Sequence, residues 1–447
     1  MASFLADLAA RPAPRYTSYP TAAEFGPSVG AAAQGEALAA VAPGTPVALY
    51  VHVPYCQAIC WYCGCNTGPA GKPERQARYL DTLKREAGMV AARMRGRVVS
   101  IHFGGGSPNA LRAKDLAALI GFLRTTFDSV ERPEIAVELD PRFFDAAYAA
   151  ALAAAGVTRA CLGVQTFAAD VQQRIGRIQP YWRVAEVVRG LRYAGIRHLT
   201  FDLMYGLPGQ GPDDVAGTIE QAVGLHPDRI AMFGYAHMPA LLPRQRAIDA
   251  AALPDTAARF AQSELARVML IERGYDAIGF DHYARPADSL SQAAARGVLR
   301  RNFQGFTDEP GGAVIGLGAS AISQYDGLLV QNEKHEQNYR ARIEGGMLAG
   351  CRGIARGADE RMRGDAIERL LCDGRVDLAE VAGRHGRPAA AFATALPQID
   401  GLAARALLDR DGWAIAMTEA GRPYVRLAAA AFDAWRDGSA GRFSQAV

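Results

Sequence analysis

Between residues 46 and 235 the chain alternates short apolar runs with longer amphipathic ones. The apolar runs fall at 47–53, 98–103, 134–139, 159–164, 198–203 and 229–235, each of strand length. Between them, 74–93, 114–127, 143–155, 182–194 and 212–225 carry apolar residues at helical spacing. Strands and helices in strict turn predict parallel strands joined by right-handed crossovers, an α/β fold. A curled sheet of this kind is a complete or partial barrel, and the pattern alone does not decide closure. In such folds, ligands collect at the C-terminal ends of the strands.

The flanks read differently. Residues 1–45 are rich in Ala, Pro and Gly with little periodicity, which predicts an arm. The run RYTSYP at 15–20 has too many aromatic and hydrogen-bonding groups for a free tail, and Tyr16 and Tyr19 would strap it to the surface. A helix is expected over 254–274 and a strand over 275–280. Periodicity then breaks at DHYARP (281–286) and RRNFQGF (300–306). Past about 332 the pattern becomes helical, over 332–347, 361–372, 377–385, 388–396 and 421–435. A helix at 404–408 should run into a hairpin at 411–417, giving a winged-helix-like end. The expected organisation is therefore an arm (1–45), a main domain (46–331) and a helical C-terminal domain (332–447).

Composition narrows the function classes. Half of the 447 residues are apolar and about a fifth charged, an ordinary globular balance. A net charge of +3, from 49 basic and 46 acidic residues, is too small to argue for nucleic acid or an anionic membrane as partner. A polyanionic substrate would need a local basic pocket. No apolar run reaches the roughly 18 residues of a membrane span, and the N-terminus lacks the pattern of a signal peptide. The expected compartment is the cytoplasm, with reduced thiols.

The chemistry centres on YVHVPYCQAICWYCGCN, residues 50–66, which holds four of the seven cysteines. The spacing Cys56-x3-Cys60-x2-Cys63 puts three thiols on one loop at the end of a strand. Buried free thiols are the plainest account, and a disulfide framework fits a long, cysteine-poor chain badly. A zinc site with Cys65 as fourth ligand has the right donors, but Cys63-x-Cys65 is tight and a second distant pair is missing. An iron–sulfur cluster with three protein thiolates would leave one iron open for a small molecule. Elsewhere, Gly104–Gly106 could be a tight turn or a close backbone approach to a ligand. Glu138 and Gln165 end strands, and Asp202 inside an apolar run needs a buried partner or a ligand. The loops bearing His282, Arg285 and Arg301 mix basic and aromatic groups, and suit a flat ligand with carboxylates better than nucleic acid.

CxxxCxxC with Tyr62 before its last cysteine resembles the radical S-adenosylmethionine (SAM) superfamily. Within it the chain resembles the oxygen-independent coproporphyrinogen III oxidase family. The resemblance rests on RYTSYPTA (15–22), CGCN (63–66), GGGSP (104–108), LGVQTF (162–167) and DLMYGLPGQ (202–210), then YAH (235–237), DHYARP (281–286), RNFQGF (301–306) and GLGASAIS (316–323). It implies a partial (β/α)6 barrel. It also implies a [4Fe-4S] cluster on Cys56, Cys60 and Cys63, and two SAM molecules, one of them bound through its amino and carboxylate groups to the fourth iron. SAM would lie against Tyr50, Tyr62, Gly105, Gly106, Ser107, Glu138, Gln165, Arg177, Asp202, Ala236 and Ile322. The family often has Thr-Pro-Thr after the glycines, where this chain has Ser107-Pro108-Asn109. Arg15, Tyr16, Tyr19, His282, Arg285 and Arg301 would face the substrate, with the arm closing over it. The implied activity is oxidative decarboxylation of two propionates of coproporphyrinogen III to vinyls, in haem biosynthesis, by a monomer served by an electron donor and acceptor the sequence does not identify. Two other activities belong to this scaffold: a haem-binding chaperone, and a methyltransferase or cyclopropanase.

Overall fold

The computed structural model describes residues 3–436, 443 and 445. Six parallel strands make its centre: β1 (Pro46–Val53), β2 (Arg97–Gly105), β3 (Ser129–Leu139), β4 (Arg159–Gln165), β5 (His198–Tyr205) and β6 (Arg229–Gly234). Each pairs with the next in sequence. The crossover helices are α1 (Pro73–Ala91), α2 (Ala113–Thr126), α3 (Ala146–Ala154), α4 (Tyr181–Tyr193) and α5 (Pro212–Gly224). Alternation decides which face they cover, because successive side chains on a strand point to opposite faces. Leu49, Val51, Ile101, Phe103, Val137, Leu162 and Leu203 join the helices in one apolar core. The opposite face turns Tyr50, His52, His102, Glu138 and Asp202 inward.

After α6 (Thr256–Glu272), β7 (Asp276–Ile278) and β8 (His282–Ala284) add antiparallel strands beyond β6. A hairpin, β9 (Arg300–Asn302) and β10 (Gly305–Thr307), then enters the barrel. Asp308 pairs with Arg229 at 3.6 Å and Ser100 donates to Glu309, both near the N-terminal strand ends. The turn carries Phe303 up to meet Tyr50 edge-on, ring centres 5.0 Å apart. On the far side of β1 the sheet continues through β11 (Ala313–Leu317), β12 (Ile322–Gln324), β13 (Leu328–Asn332) and, past α7 (Glu336–Glu344), β14 (Gly350–Ala355). The order of the twelve strands ends at β14 and β7, which do not pair, so the barrel stays open.

The arm spans that opening. Arg15 donates to the Gly234 carbonyl at the end of β6 (3.0 Å) and pairs with Asp281 at 3.5 Å. Further along, the Gly26 and Gly353 backbones exchange hydrogen bonds of 2.8 and 2.9 Å, stitching the arm to β14. Tyr16 and Tyr19 turn away from the barrel. They join Met362, Leu370, Phe392 and Phe432 in the core of the C-terminal domain. Tyr16 donates to Asp433 (2.9 Å), and Tyr19 accepts from the Ala434 N–H (2.9 Å). That domain holds α8 (Ala358–Asp373), α9 (Leu378–Arg384), α10 (Leu396–Ala403) and the small sheet β15 (Arg375–Asp377), β16 (Leu408–Asp411) and β17 (Ala414–Met417).

Three expectations are corrected. The barrel sheet runs on past 332 to Ala355, because β14 pairs with β13. No helix spans 404–408; α10 ends at Ala403 and β16 begins at Leu408. The helices expected over 388–396 and 421–435 are mostly short 3-10 turns, with α-helix only at Val425–Ala429 in the second. Among the described residues no helix is long and apolar enough to cross a membrane.

Candidate functional site

The loop after β1 opens at the C-terminal end of the barrel. Tyr55–Cys56 pairs with Gly68–Pro69, so the intervening residues form a closed excursion carrying the other three thiols. Cys56, Cys60, Cys63 and Cys65 all line one cleft of about 170 Å³. From the barrel the same cleft receives Gly105, Gly106, Ser107, Glu138, Cys161, Gln165, Arg177 and Asp202, with Tyr62, Thr67, Asp140 and Arg244 at its wall.

Each of the three spaced sulfurs has donors turned toward it. Cys56 Sγ lies 3.2 Å from Thr67 Oγ1 and 3.7 Å from Ser107 Oγ. Cys60 Sγ receives Arg177 Nη1 at 3.3 Å and Arg142 Nη2 at 3.4 Å. Cys63 Sγ receives the Cys65 N–H at 3.4 Å. Donation from the Cys65 side chain, with Arg244 and Arg177 beyond, holds the Cys63 thiol below its ordinary range. Burial raises Cys56, against the hydrogen bonds from Thr67 and Ser107. Donors of this kind stabilise thiolates, the form that binds metal.

The carboxylates are placed with equal care. Glu138 Oε1 bonds His102 Nε2 at 3.0 Å, and its Oε2 accepts from Gly105 N–H at 3.3 Å. A side chain at Gly104 would collide with Glu138, so glycine there lets the carboxylate sit against the strand. Burial alone would lower the His102 pKa, but Glu138 beside it keeps it raised. Tyr50 stacks on His102, ring centres 6.0 Å apart, and bonds His52 at 3.1 Å. Asp202 is pushed up to about 7, by burial first and then by Glu138. Gln165 holds a left-handed φ of 65° at the cleft, a conformation an L residue keeps only when its surroundings fix it.

Asp140 anchors the arginines. It accepts from Arg142 at 2.6 Å and Arg177 at 3.2 Å, so both guanidiniums are held against Cys60. Asn109 explains that anchor. Its Nδ2 donates to the Asp140 and Phe143 carbonyls, and its Oδ1 accepts from Asp140 N–H. The Ser107-Pro108-Asn109 run thus carries a buried clamp on the strand end.

Other expected residues sit around this cleft without lining it. Tyr50 faces the barrel interior behind His102. The Ala236 carbonyl accepts from Gln245, whose amide also donates to the Tyr62 carbonyl, tying the β6 end to the cysteine loop. Ile322 lies on β12, beside Gly316, which pairs with Tyr50. Arg15, His282 and Arg301 meet at Asp281: His282 Nδ1 is 2.6 Å from its carboxylate, and Arg301 Nε donates to the Arg15 carbonyl at 3.1 Å. Burial would raise the Asp281 pKa, yet His282, Arg301 and Arg15 hold it well below the usual carboxylate range. Tyr16 and Tyr19 pack into the C-terminal core and line a cleft together with Arg301. Arg285 is corrected: it follows Ala284, which pairs with Arg229 at the N-terminal end of β6, and it donates to the Pro227 carbonyl at the other end of the barrel. Sequence reading missed His52, His102, Thr67, Asp140, Arg142 and Arg244. The repeated inward positions on β1 and β2 were the available signal for the two histidines.

The residues fit a cluster with SAM. Two nitrogens of cleft-lining arginines, Arg177 Nε and Arg244 Nη1, are buried with no protein partner, which suits an anionic group. No three His, Cys, Asp or Glu groups among the described residues converge on one metal-ion position. A cluster held by three thiolates needs one donor at each of three irons, and Cys56, Cys60 and Cys63 all line the one cleft.

Residues 50–222 match the radical SAM superfamily. An oxygen-independent coproporphyrinogen III oxidase of Bradyrhizobium diazoefficiens is 41% identical, the match covering 97% of both chains. One from Escherichia coli is 37% identical over 94% of this chain and 93% of its own. The solved structure of the Escherichia coli coproporphyrinogen III oxidase, described as a radical SAM enzyme, superposes with a TM-score of 0.90 at 35% identity, over 94% of this chain and 97% of that one. The chain belongs to the radical SAM superfamily and, within it, to the oxygen-independent coproporphyrinogen III oxidases.

Proposed function

We propose that this chain converts two propionate side chains of coproporphyrinogen III to vinyls, releasing CO2 and giving protoporphyrinogen IX. The observation that carries this is one cleft holding Cys56, Cys60 and Cys63 together with Glu138, Arg177 and Asp202. Cys56, Cys60 and Cys63 would hold a [4Fe-4S] cluster. Glu138, Gln165, Arg177 and Asp202 would hold SAM, with Gly105, Gly106 and Ser107 at its backbone side and Tyr62 as a wall. When bound, cluster and SAM together supply a carbon-centred radical that removes a hydrogen atom from the substrate.

The protein's part is to bind, orient and shield. Thr67, Ser107, Arg142 and Arg177 hold the thiolates by donating to them. His102 orients Glu138, and Asp140 orients the two arginines. Arg15, His282 and Arg301, gathered at Asp281 beside the β6 end, are the proposed contacts for substrate carboxylates. Guanidinium suits that partner through its fixed fork of donors. Tyr50, turned inward against His102, would pack on the SAM beside the cluster, and Ile322 would lie near a second SAM. The arm, spanning the open side from Gly234 to Gly353, would shield the substrate side from water. Seven free cysteines fit a reducing compartment, the cytoplasm, and we take the working unit to be the monomer.

The test is an anaerobic assay of the reconstituted protein with coproporphyrinogen III and SAM. Two CO2 and two vinyls per substrate are expected. Haem bound and passed on unchanged, or methyl transfer without CO2, would replace this reading with another of the scaffold's activities.

A further inference from the structure

The three spaced thiols sit in different electrostatic settings. Cys56 Sγ meets two neutral hydroxyls, those of Thr67 and Ser107. Cys63 Sγ accepts a backbone N–H, from Cys65. Among the described residues, Cys60 is the one of the three whose sulfur takes hydrogen bonds from charged groups, Arg177 Nη1 at 3.3 Å and Arg142 Nη2 at 3.4 Å. Those two guanidiniums share one carboxylate, Asp140, at 3.2 and 2.6 Å, and no other carboxylate pairs with either among the described residues. One positive charge is therefore left over beside Cys60.

The two arginines are placed differently. Arg177 lines the cleft and keeps its Nε buried with no protein partner, so a bound ligand can claim it. Arg142 does not line the cleft. Its side chain is 11% exposed and committed to the protein. Nε spans both Asp140 oxygens at 3.0 and 3.1 Å, Nη2 also reaches the Ala58 carbonyl at 3.4 Å, and the guanidinium lies over the Phe143 ring, 5.3 Å from its centre. The mount beneath it is rigid. Asp140 Oδ1 accepts the Arg142 N–H at 3.0 Å. Asn109, only 1% exposed, donates to the Asp140 carbonyl at 2.9 Å and accepts its N–H at 3.0 Å. Arg142 is thus a fixed charge aimed at one thiol from behind the site.

We propose that Arg142 is a positioning residue whose charge, acting through Cys60, raises the reduction potential of the centre those thiols hold. The proposal rests on the reading that Cys56, Cys60 and Cys63 hold an iron–sulfur cluster. Reduction adds one electron to the centre; no bond forms or breaks, and an external reductant is oxidised. The added negative charge is favoured by a cation and by a hydrogen bond at a ligand sulfur, two of the factors that set such potentials. A buried setting strengthens both, because the dielectric there is low.

The experiment is a redox titration of the full, anaerobically reconstituted chain, with dithionite as reductant and electron paramagnetic resonance as readout. Arg142→Gln keeps a donor and removes the charge. At a fixed potential its reduced-to-oxidised ratio should be at least tenfold below wild type, a midpoint lower by at least about 59 mV. Arg142→Lys restores the charge and should return the ratio to within threefold of wild type. The SAM concentration that half-changes the signal should stay within threefold in both variants, since Arg142 does not line the cleft. An unchanged ratio in Arg142→Gln, or an equal fall in Arg142→Lys, overturns the proposal. So does weaker SAM binding at unchanged potential, which would make Arg142 part of the SAM site. If Arg142→Gln holds no cluster, retention in Arg142→Lys at a near wild-type potential supports the need for charge at Cys60. Loss in both overturns the proposal and leaves Arg142 a structural latch. A wild-type chain with no [4Fe-4S] signal sinks the cluster reading and the proposal with it, whereas unshifted variants beside a normal wild-type signal sink the proposal alone.

Discussion

Glu86, on α1, is buried among partners rather than charges. It accepts from Gly318 N–H (2.6 Å), Asn332 Nδ2 (2.7 Å) and Tyr339 OH (2.7 Å), fixing the turn after β11. Burial pushes its carboxyl up from 4.5 to about 7. Across that window the native state keeps a proton that the unfolded chain has released, so stability falls as pH rises and the contribution is gone above about 7. The loss is at most about 3 kcal/mol. Urea unfolding at pH 5 and pH 8 should therefore show a smaller pH difference in Glu86→Gln than in wild type. Equal differences in the two proteins would mean that Glu86 stays charged or finds a cation. This residue was not legible in the sequence. A glutamate at a helix position gives no sign of burial, and its three partners lie more than 200 residues away.

At the scale of elements, the outward strand positions were readable because apolar side chains alternate there with polar ones. The inward positions were not, because their polar groups are satisfied by strands distant in sequence. Asp288 shows this best. It pairs with Arg229 of β6 (2.7 Å) and Arg159 of β4 (3.7 Å), and caps the helix Ser289–Ala295. Replacing it by Ala leaves Arg229 with Asp308 at 3.6 Å and Arg159 with Glu134 at 3.3 Å, and should cost about 1–3 kcal/mol. Chemical denaturation of Asp288→Ala would check this, and a cost below about 1 kcal/mol would show that other acids, Asp308 or Glu134, take over. β14 escaped notice for another reason. Its run GCRGIA is short and glycine-rich, and it becomes a strand by pairing with β13 and with the arm.

At the scale of the molecule, the arm, the open barrel and the C-terminal domain are interlocked. Tyr19 sits in the C-terminal core while Arg15, four residues before it, reaches the end of β6. Tyr19→Ala should cost about 3–5 kcal/mol from the emptied site. Hydrogen exchange should then show the arm and C-terminal domain losing protection together while β1 to β6 keep theirs. Loss confined to the arm would mean that the two do not share one core. The motifs of the cysteine loop were legible because its three thiols are close in sequence. The arginines that hold them were only partly so, since Arg142 and Arg244 reach the loop from elsewhere in the barrel.

The central claim is that three thiolates hold a cluster with one iron free for SAM. Electron paramagnetic resonance of the reduced, reconstituted chain, with and without SAM, tests it most directly. The account predicts a [4Fe-4S] signal that changes on adding SAM, is lost in Cys56→Ser, Cys60→Ser and Cys63→Ser, and persists in Cys65→Ser. A signal indifferent to SAM, or bound zinc that requires Cys65, would contradict it.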